Sequence, residues 1–417
     1  MPQSDVIIIG GGAIGLSSAY YLNRAGFSVT ILDDQTPDQV GSCSWGNAGM
    51  VCPSHFVPLA APGVVKQGLK WLMDPESPFS IELSLSFEMI QWLWQFRKAA
   101  NPNHVKNSAN TLRELGMFSR SLFIELDRTL NFGLTQDGIL MLCSEEETLS
   151  HELSVSKMAR DMGMDAIDLD SEGVAKTETG MATDLAGGVY YPLDCHVNPV
   201  TFLSAMKNHL TEQGVSIHHG TYVTGIDGEK NRITMVHTEN ESWTGDHFVL
   251  AAGAFSSKLI HSLGLKMPLM AGKGYSVTMD LRTQKPAIPA ILVEARIAST
   301  PMGSTWRFGG TMTVTQRSRK INQRKLHAML RAVSNYYPEY EYDWTTSLEP
   351  WVGLRPLSAD GMPYIGPFEK YPNLIAATGH AMVGVSLATG TGHLVTDIVS
   401  KRRPPAMDLS NLRPDRF

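Results

Sequence analysis

The segment Gly10-Gly-Gly-Ala-Ile-Gly15 sets glycines at positions 10, 12 and 15, the spacing G-x-G-x-x-G. In such a turn the first glycine permits a sharp reversal and the second lets the backbone approach a pyrophosphate. The third lets the following helix pack close to the sheet. The pyrophosphate then sits at the positive N-terminus of that helix. Asp33 follows Gly15 by 18 residues, and a carboxylate there can accept a bond from an adenosine ribose hydroxyl. Asp34 either shares that role or is a solvated turn carboxylate. The chemistry expected of this constellation is dinucleotide binding, with FAD and NAD both open.

Further chemistry-bearing stretches lie downstream. Val249-Leu-Ala-Ala-Gly253 is an apolar run ending in Ala252 and Gly253, a flexible backbone at the carboxyl end of a strand, where open sheets bind ligands. Trp351-Val-Gly353-Leu-Arg355-Pro leads to Tyr364-Ile-Gly366, then to Gly379-His380 and Gly384-Val385-Ser386-Leu387. No Ser/His/Asp triad, paired catalytic carboxylates or metal cluster has to be invoked. Cys43, Cys52, Cys143 and Cys195 form no CxxC pair and read as idle thiols of a reducing compartment.

The elements that must position these groups begin with a βαβ unit over residues 5–33: a buried strand from Asp5, a small-residue helix from Gly11 to Arg24, and a strand from Phe27 to Asp33. Apolar spacing through Leu83, Phe87, Ile90 and Trp94, and again from Leu112 to Leu126, predicts helix between 64 and 132. Residues 134–143 and 185–191 read as strands, and 198–212 as a helix with Asn198 at its N-cap and Pro199 at its first position. Strands are expected at 215–226, 232–238, 247–252, 274–280, 290–297, 304–311 and 374–376, and helices over 321–336 and up to 399.

Composition bounds what these elements can build. The chain has 417 residues, 43% hydrophobic and 18% charged, which suits a large buried core in two domains or one elaborated one. Its 35 basic residues against 41 acidic ones give a net charge of −6, with no field to collect a nucleic acid. No signal peptide is visible, so the expected compartment is the cytoplasm. Two long uncharged stretches, 39–65 and 371–396, are broken by prolines or glycines and do not read as membrane spans. Small, uncharged and glycine-rich backbone suits close approach to a large buried ligand.

Taken together, Gly10–Gly15, Ser42-Cys-Ser44-Trp-Gly-Asn47-Ala48-Gly49, Pro58-Leu-Ala-Ala-Pro-Gly63, Lys273-Gly-Tyr275-Ser, Gly353-Leu-Arg355-Pro and Thr378-Gly-His380 resemble, in order and across the whole chain, the D-amino acid oxidase superfamily of flavoproteins. The branch resembled most is that of the bacterial D-amino acid dehydrogenases. The resemblance implies an α/β fold: a Rossmann-like FAD-binding domain with a second α+β substrate domain on a mixed, largely antiparallel sheet. The FAD domain is expected over 1–60, 195–262 and 348–417, and the substrate domain over 61–194 and 263–347.

The same resemblance implies roles residue by residue. FAD, noncovalent for want of a C-terminal cysteine, would rest its diphosphate at Gly10, Gly12, Ala13, Ile14 and Gly15 and its ribose on Asp33. Ser44, Asn47, Ala48 and Gly49 would line its ring, and Val223 would meet the adenine. Gly353, Gly379, His380 and Gly384, Val385, Ser386 and Leu387 would close over the flavin, the last four starting a helix whose dipole stabilises reduced flavin. Arg355 would anchor the substrate carboxylate, because a planar guanidinium grips it bidentately. Tyr275 would cap the substrate site or be a core tyrosine. His55 is a candidate substrate contact, with an ordinary loop histidine as the preferred reading.

The expected reaction is oxidation of a D-amino acid, with a cyclic amine such as D-proline or hydroxy-D-proline as a finer hypothesis. Hydride would pass from Cα to flavin N5, and electrons would go to a quinone or electron-transfer protein. The alternatives are an oxygen-using glycine or sarcosine oxidase and a noncatalytic FAD-binding subunit. Residues 85–96 are aromatic enough for peripheral contact with the inner face of the cell membrane, with a core-packing helix as the preferred reading.

Overall fold

Val6-Ile-Ile-Ile9 has no polar side chain to offer water, and it forms the inner strand Gln3–Ile9 of a largely parallel sheet. This is seen in a computed structural model that describes residues 3–38, 40–71, 74–82, 84, 86–280, 286–316, 318–338, 350–402 and 407–417. On one side the strand pairs in parallel with Val29–Leu32, which pairs with Ser216–His218. On the other it pairs with Ser242–Leu250, which pairs in parallel with Leu374–Thr378. An antiparallel ribbon, Val223–Glu229 with Arg232–Thr238, and the strand Tyr364–Pro367 complete eight strands among the described residues.

Helices Ala13–Arg24, Pro102–Leu130, Pro199–Glu212 and Ala388–Val399 share one core with this sheet, through Leu16, Leu22, Phe123, Phe202, Met206 and Val395. Asn198 caps Pro199–Glu212 by accepting from Val200 N at 3.0 Å.

A second sheet has nine strands among the described residues. Trp351–Ser358, Leu269–Asp280, Thr305–Thr315, Ile297–Met302 and Ala290–Leu292 run antiparallel in that order. Ile139–Cys143, Gly187–Tyr191 and Ile167–Asp170 extend it, and Phe79–Ile81 joins Thr305–Thr315 in parallel. Helix Gln323–Tyr336 covers one face, setting Leu326, Met329 and Val333 against Trp306 and Phe308. The fold is therefore the expected α/β arrangement with a mixed, largely antiparallel second sheet.

Several elements differ from the sequence reading. The span 215–226 is two strands, because residues 219–222 cross from the parallel sheet to the ribbon. The span 290–297 breaks after Leu292, where Arg296 adopts φ +54° in a turn. The helical stretch 64–132 is three helices, Val64–Trp71, Phe87–Ala99 and Pro102–Leu130, with a strand between the first two. Pro102 forces the last break, since it cannot continue the preceding helix. Strand Trp351–Ser358 joins the nine-stranded sheet rather than the sheet expected for 348–417, because a short strand carries no mark of which edge it will pair with. Leu83, Leu85 and the boundary expected at 347–348 lie outside the described residues.

Candidate active site

Gly10 ends the first strand at φ +107°, and its amide donates to Leu32 O at 2.8 Å. A Cβ at Gly10 would lie 2.5 Å from Ala251 O, and one at Gly15 would overlap Gly10 O, so both turn positions exclude larger residues. Helix Ala13–Arg24 starts from Gly12, which offers no side-chain cap, and no acidic residue stands in its first turn. Ser44 Oγ accepts from Ala13 N at 3.0 Å. The positive end of the helix opens onto a cleft lined by Gly10, Gly12, Ala13 and Ile14.

Asp33, Asp34 and Val223 line the same cleft, as do Ala252 and Gly253, and so do Ser44, Asn47, Gly384 and Val385. The Asp33 carboxylate is buried against Gly11, where a Cβ would come within 2.6 Å of its Oδ2. Asp34 is exposed and accepts from Gln35 Nε2 at 2.6 Å. These features fit a dinucleotide: a helix N-terminus without an acidic residue in its first turn for the diphosphate, a buried carboxylate for the ribose, and a glycine-built turn between them.

The remaining expected cofactor residues shape the walls. Gly49 turns at φ +75° beside Val197 O, and Ala48 packs over Gly309. Trp351 lays its indole where a Cβ on Gly353 or Gly46 would sit, and Tyr364 does the same at Gly379. His380 is buried, with Nε2 on Thr391 Oγ1 at 2.9 Å and Nδ1 without a partner among the described residues, and desolvation lowers its pKa to about 3. Ser386 Oγ accepts from Cys52 N at 2.9 Å. Residues 384–387 form a turn and not the helix start expected of them. Helix Ala388–Val399 begins one residue later, with Leu387 as N-cap.

Arg355 and Tyr275 lie on opposite faces of the second sheet. Arg355 pairs with Gly272 across the ladder, and its guanidinium occupies the space where a Cβ on Gly274 would lie. Arg355 NH1 donates to Thr311 O at 2.9 Å, and Thr311 is held at φ +59° at an irregularity in its strand. Arg355 is half-buried and desolvated, between Leu354 and Pro356, which line the cleft. Desolvation pulls its pKa below the ordinary value; Cys43, which acts against that shift, is not a carboxylate. Tyr275 corrects the expectation of a substrate cap. Strand alternation turns it to the far face, into the core with Trp306 and Phe308, and its hydroxyl accepts from Asn322 N at 2.9 Å.

His55 has a similar setting to Arg355, crowded but partly exposed, and desolvation lowers its pKa to about 4. Its Nδ1 lies 3.2 Å from Ser54 Oγ.

Residues that sequence reasoning missed also meet here. Ser42, Phe255, Lys258 and Arg319 line the cleft. Arg307 is buried on the Arg355 face and donates from NH1 to Trp45 O and Asn47 O, both at 2.9 Å, and from Nε to Thr278 Oγ1. It fastens the cleft-lining segment to the second sheet, and desolvation lowers its pKa to about 10. Both faces of strand Thr305–Thr315 are covered, so alternation could not single it out. Arg319 sits in a basic run that reads as solvated surface.

Residues 5–398 match the family model described as FAD dependent oxidoreductase. Proteins named D-amino acid dehydrogenase are similar over nearly the whole length. That of Methylobacterium nodulans is 31% identical, covering 98% of both chains, and that of Granulibacter bethesdensis is 30% identical, covering 96% of both. Among solved structures, glycine oxidase from Geobacillus kaustophilus superposes with a TM-score of 0.81 at 22% identity, covering 100% of both chains.

Proposed function

Because this chain belongs to the DAO family of FAD-dependent oxidoreductases, we propose that it dehydrogenates D-amino acids, with Arg355 holding the substrate carboxylate. The single observation that carries this reading is a half-buried, desolvated guanidinium, set between the cleft-lining Leu354 and Pro356, with no carboxylate in an ion pair among the described residues. A desolvated cation in that setting is stabilised by an anion that arrives with the substrate.

The chain's own residues divide the work. Gly10, Gly12, Ala13, Ile14 and Asp33 would hold the diphosphate and ribose of noncovalent FAD, and Ser44, Asn47 and Val385 its ring end. FAD, when bound, supplies a two-electron acceptor for the Cα hydride. Arg355 orients the substrate through its carboxylate, and the Thr311 carbonyl fixes the guanidinium. Positioning of this kind lowers the barrier by removing the entropy of alignment.

In the finer reading the donor is a cyclic D-imino acid, and the electrons pass to a quinone or an electron-transfer protein. Helix Phe87–Ala99 buries Met89 and Trp92 but exposes Phe87, Ile90 and Trp94, beside Arg97 and Lys98. That face supports peripheral contact with the inner membrane surface from the cytoplasm. No helix of the described residues is long and apolar enough to cross a membrane.

Anaerobic bleaching of the bound flavin tests the reading, using D- and L-amino acids, D-proline, hydroxy-D-prolines, glycine and sarcosine. Fast bleaching by D-substrates that Arg355→Ala abolishes is the expected result. Bleaching by glycine or sarcosine alone, with peroxide released in air, would move the protein to the oxidase reading.

A further inference from the structure

Ser54 Oγ donates to the buried Asp194 carboxylate, and Ser54 N donates to the same group at 3.2 Å. The serine has one hydroxyl hydrogen. While Asp194 is ionised that hydrogen points to it, so Ser54 Oγ accepts from His55 Nδ1–H. His55 Nε2 is then bare, and it has no partner among the described residues. Protonation of Asp194 reverses both bonds: the carboxyl donates to Ser54 Oγ, Ser54 donates to Nδ1, and Nε2 carries the hydrogen. The charge on Asp194 and the tautomer of His55 are one variable.

The segment that carries His55 begins and ends against the Arg355 face. At one end Ala48 packs on Gly309, and at the other Leu59 packs beside Leu357, two residues from Arg355. His55 stands within that span and keeps partial exposure.

We propose that His55, Ser54 and Asp194 form a proton relay for the substrate amine, with His55 as the group that touches it and Ser54 and Asp194 as positioning residues. The inference rests on the reading that the donor is an amino acid. Its ammonium must shed a proton before Cα–H can leave as hydride. The N–H bond breaks as His55 Nε2 takes the proton, the Nδ1 proton moves to Ser54 Oγ, and the serine proton moves to Asp194 Oδ2. One proton enters and one is stored, and no electrons are exchanged within the relay.

The groups facing Asp194 are Ser54, the Arg120 guanidinium, Cys52, Cys195 and Tyr191. Burial dominates over Ser54 and Arg120 and raises the Asp194 pKa to about 7. The relay is therefore open above that pH and closed below it.

Two measurements on the FAD-loaded protein test it. Nitrogen-15 NMR of the histidines should show His55 changing from the Nδ1–H to the Nε2–H tautomer as pH falls through about 7, and Asp194→Asn should abolish the change. A single tautomer across that range would overturn the relay. In anaerobic flavin reduction by a D-amino acid, Asp194→Asn and His55→Gln should each slow the step about 100-fold and remove its inflection with pH. The second variant keeps the test decisive if the first does not fold. Wild-type rates and pH profile in the variants would overturn the relay and leave the substrate reading intact. No reduction of the wild type by any amine would overturn that reading instead.

Discussion

At the scale of single residues, Arg355 and His380 are both desolvated by the protein and respond oppositely to it. Arg355 holds its charge because a guanidinium is protonated across the working range, whereas His380 gives its charge up. Arg355→Lys keeps the charge but loses the planar fork, and steady-state kinetics with an artificial acceptor should show KM rising about 10-fold or more. His380 makes stability depend on acid. Above pH 6.5 neither folded nor unfolded His380 is charged, so it contributes no slope. Below that value the unfolded chain binds a proton that the folded chain refuses until about pH 3. Stability therefore falls as pH drops, by roughly 2 kcal/mol between pH 6.5 and about pH 5 for this one group. Urea unfolding at the two pH values should show that loss shrinking in His380→Gln. Asp194 acts in the reverse sense: its contribution is full below pH 3.8 and is lost as pH rises through about 7.

At the scale of elements, strained and glycine-built turns do the positioning. Thr311 is β-branched yet held at φ +59°, a conformation costing on the order of 1–2 kcal/mol, and its carbonyl fixes Arg355. Thr311→Gly should raise the melting temperature by a few degrees, roughly 1 kcal/mol, while weakening amino acid binding in a titration. Gly15→Ala should leave the isolated protein short of FAD, read as the ratio of yellow to protein absorbance, because the methyl would overlap Gly10 O. The first βαβ unit was legible in the sequence because an apolar run, a glycine turn and an acidic strand end are local signals. The Asn198 cap and Pro199 were legible for the same reason. The sheet partner of Trp351–Ser358 was not, since pairing depends on residues far away along the chain, such as Gly272 opposite Arg355. Tyr275 was misplaced because the Lys-Gly-Tyr motif gives no parity: only register shows that Gly274 faces Arg355 while Tyr275 turns away. Arg307 and Asp194 were invisible because an arginine in a strand and a lone aspartate between strands carry no spacing signal.

At the scale of the whole molecule, polar contacts fasten the segments that line the cleft and follow it. Arg307 ties Trp45 and Asn47 to the second sheet, and Cys52 N ties the following segment to Ser386. Arg307→Met should therefore loosen FAD retention more than it lowers the melting temperature of the protein stripped of FAD, a contrast that thermal melts with and without added FAD can read. The exposed Phe87, Ile90 and Trp94 face makes a separate claim. Co-sedimentation with anionic lipid vesicles should fall at least several-fold in Phe87→Ser/Trp94→Glu with no change in flavin content, because the altered side chains are 75% and 60% exposed.

The guanidinium proposed to hold the substrate and the glycines proposed to cradle the dinucleotide stand on different sheets. On that proposal, what the protein accepts and how it collects electrons are separable traits that meet only where Leu354 and Pro356 border the cleft. A descendant could exchange side chains on the Arg355 face of strands Leu269–Asp280, Ile297–Met302 and Thr305–Thr315 and change its diet. Its redox half would pass on unaltered.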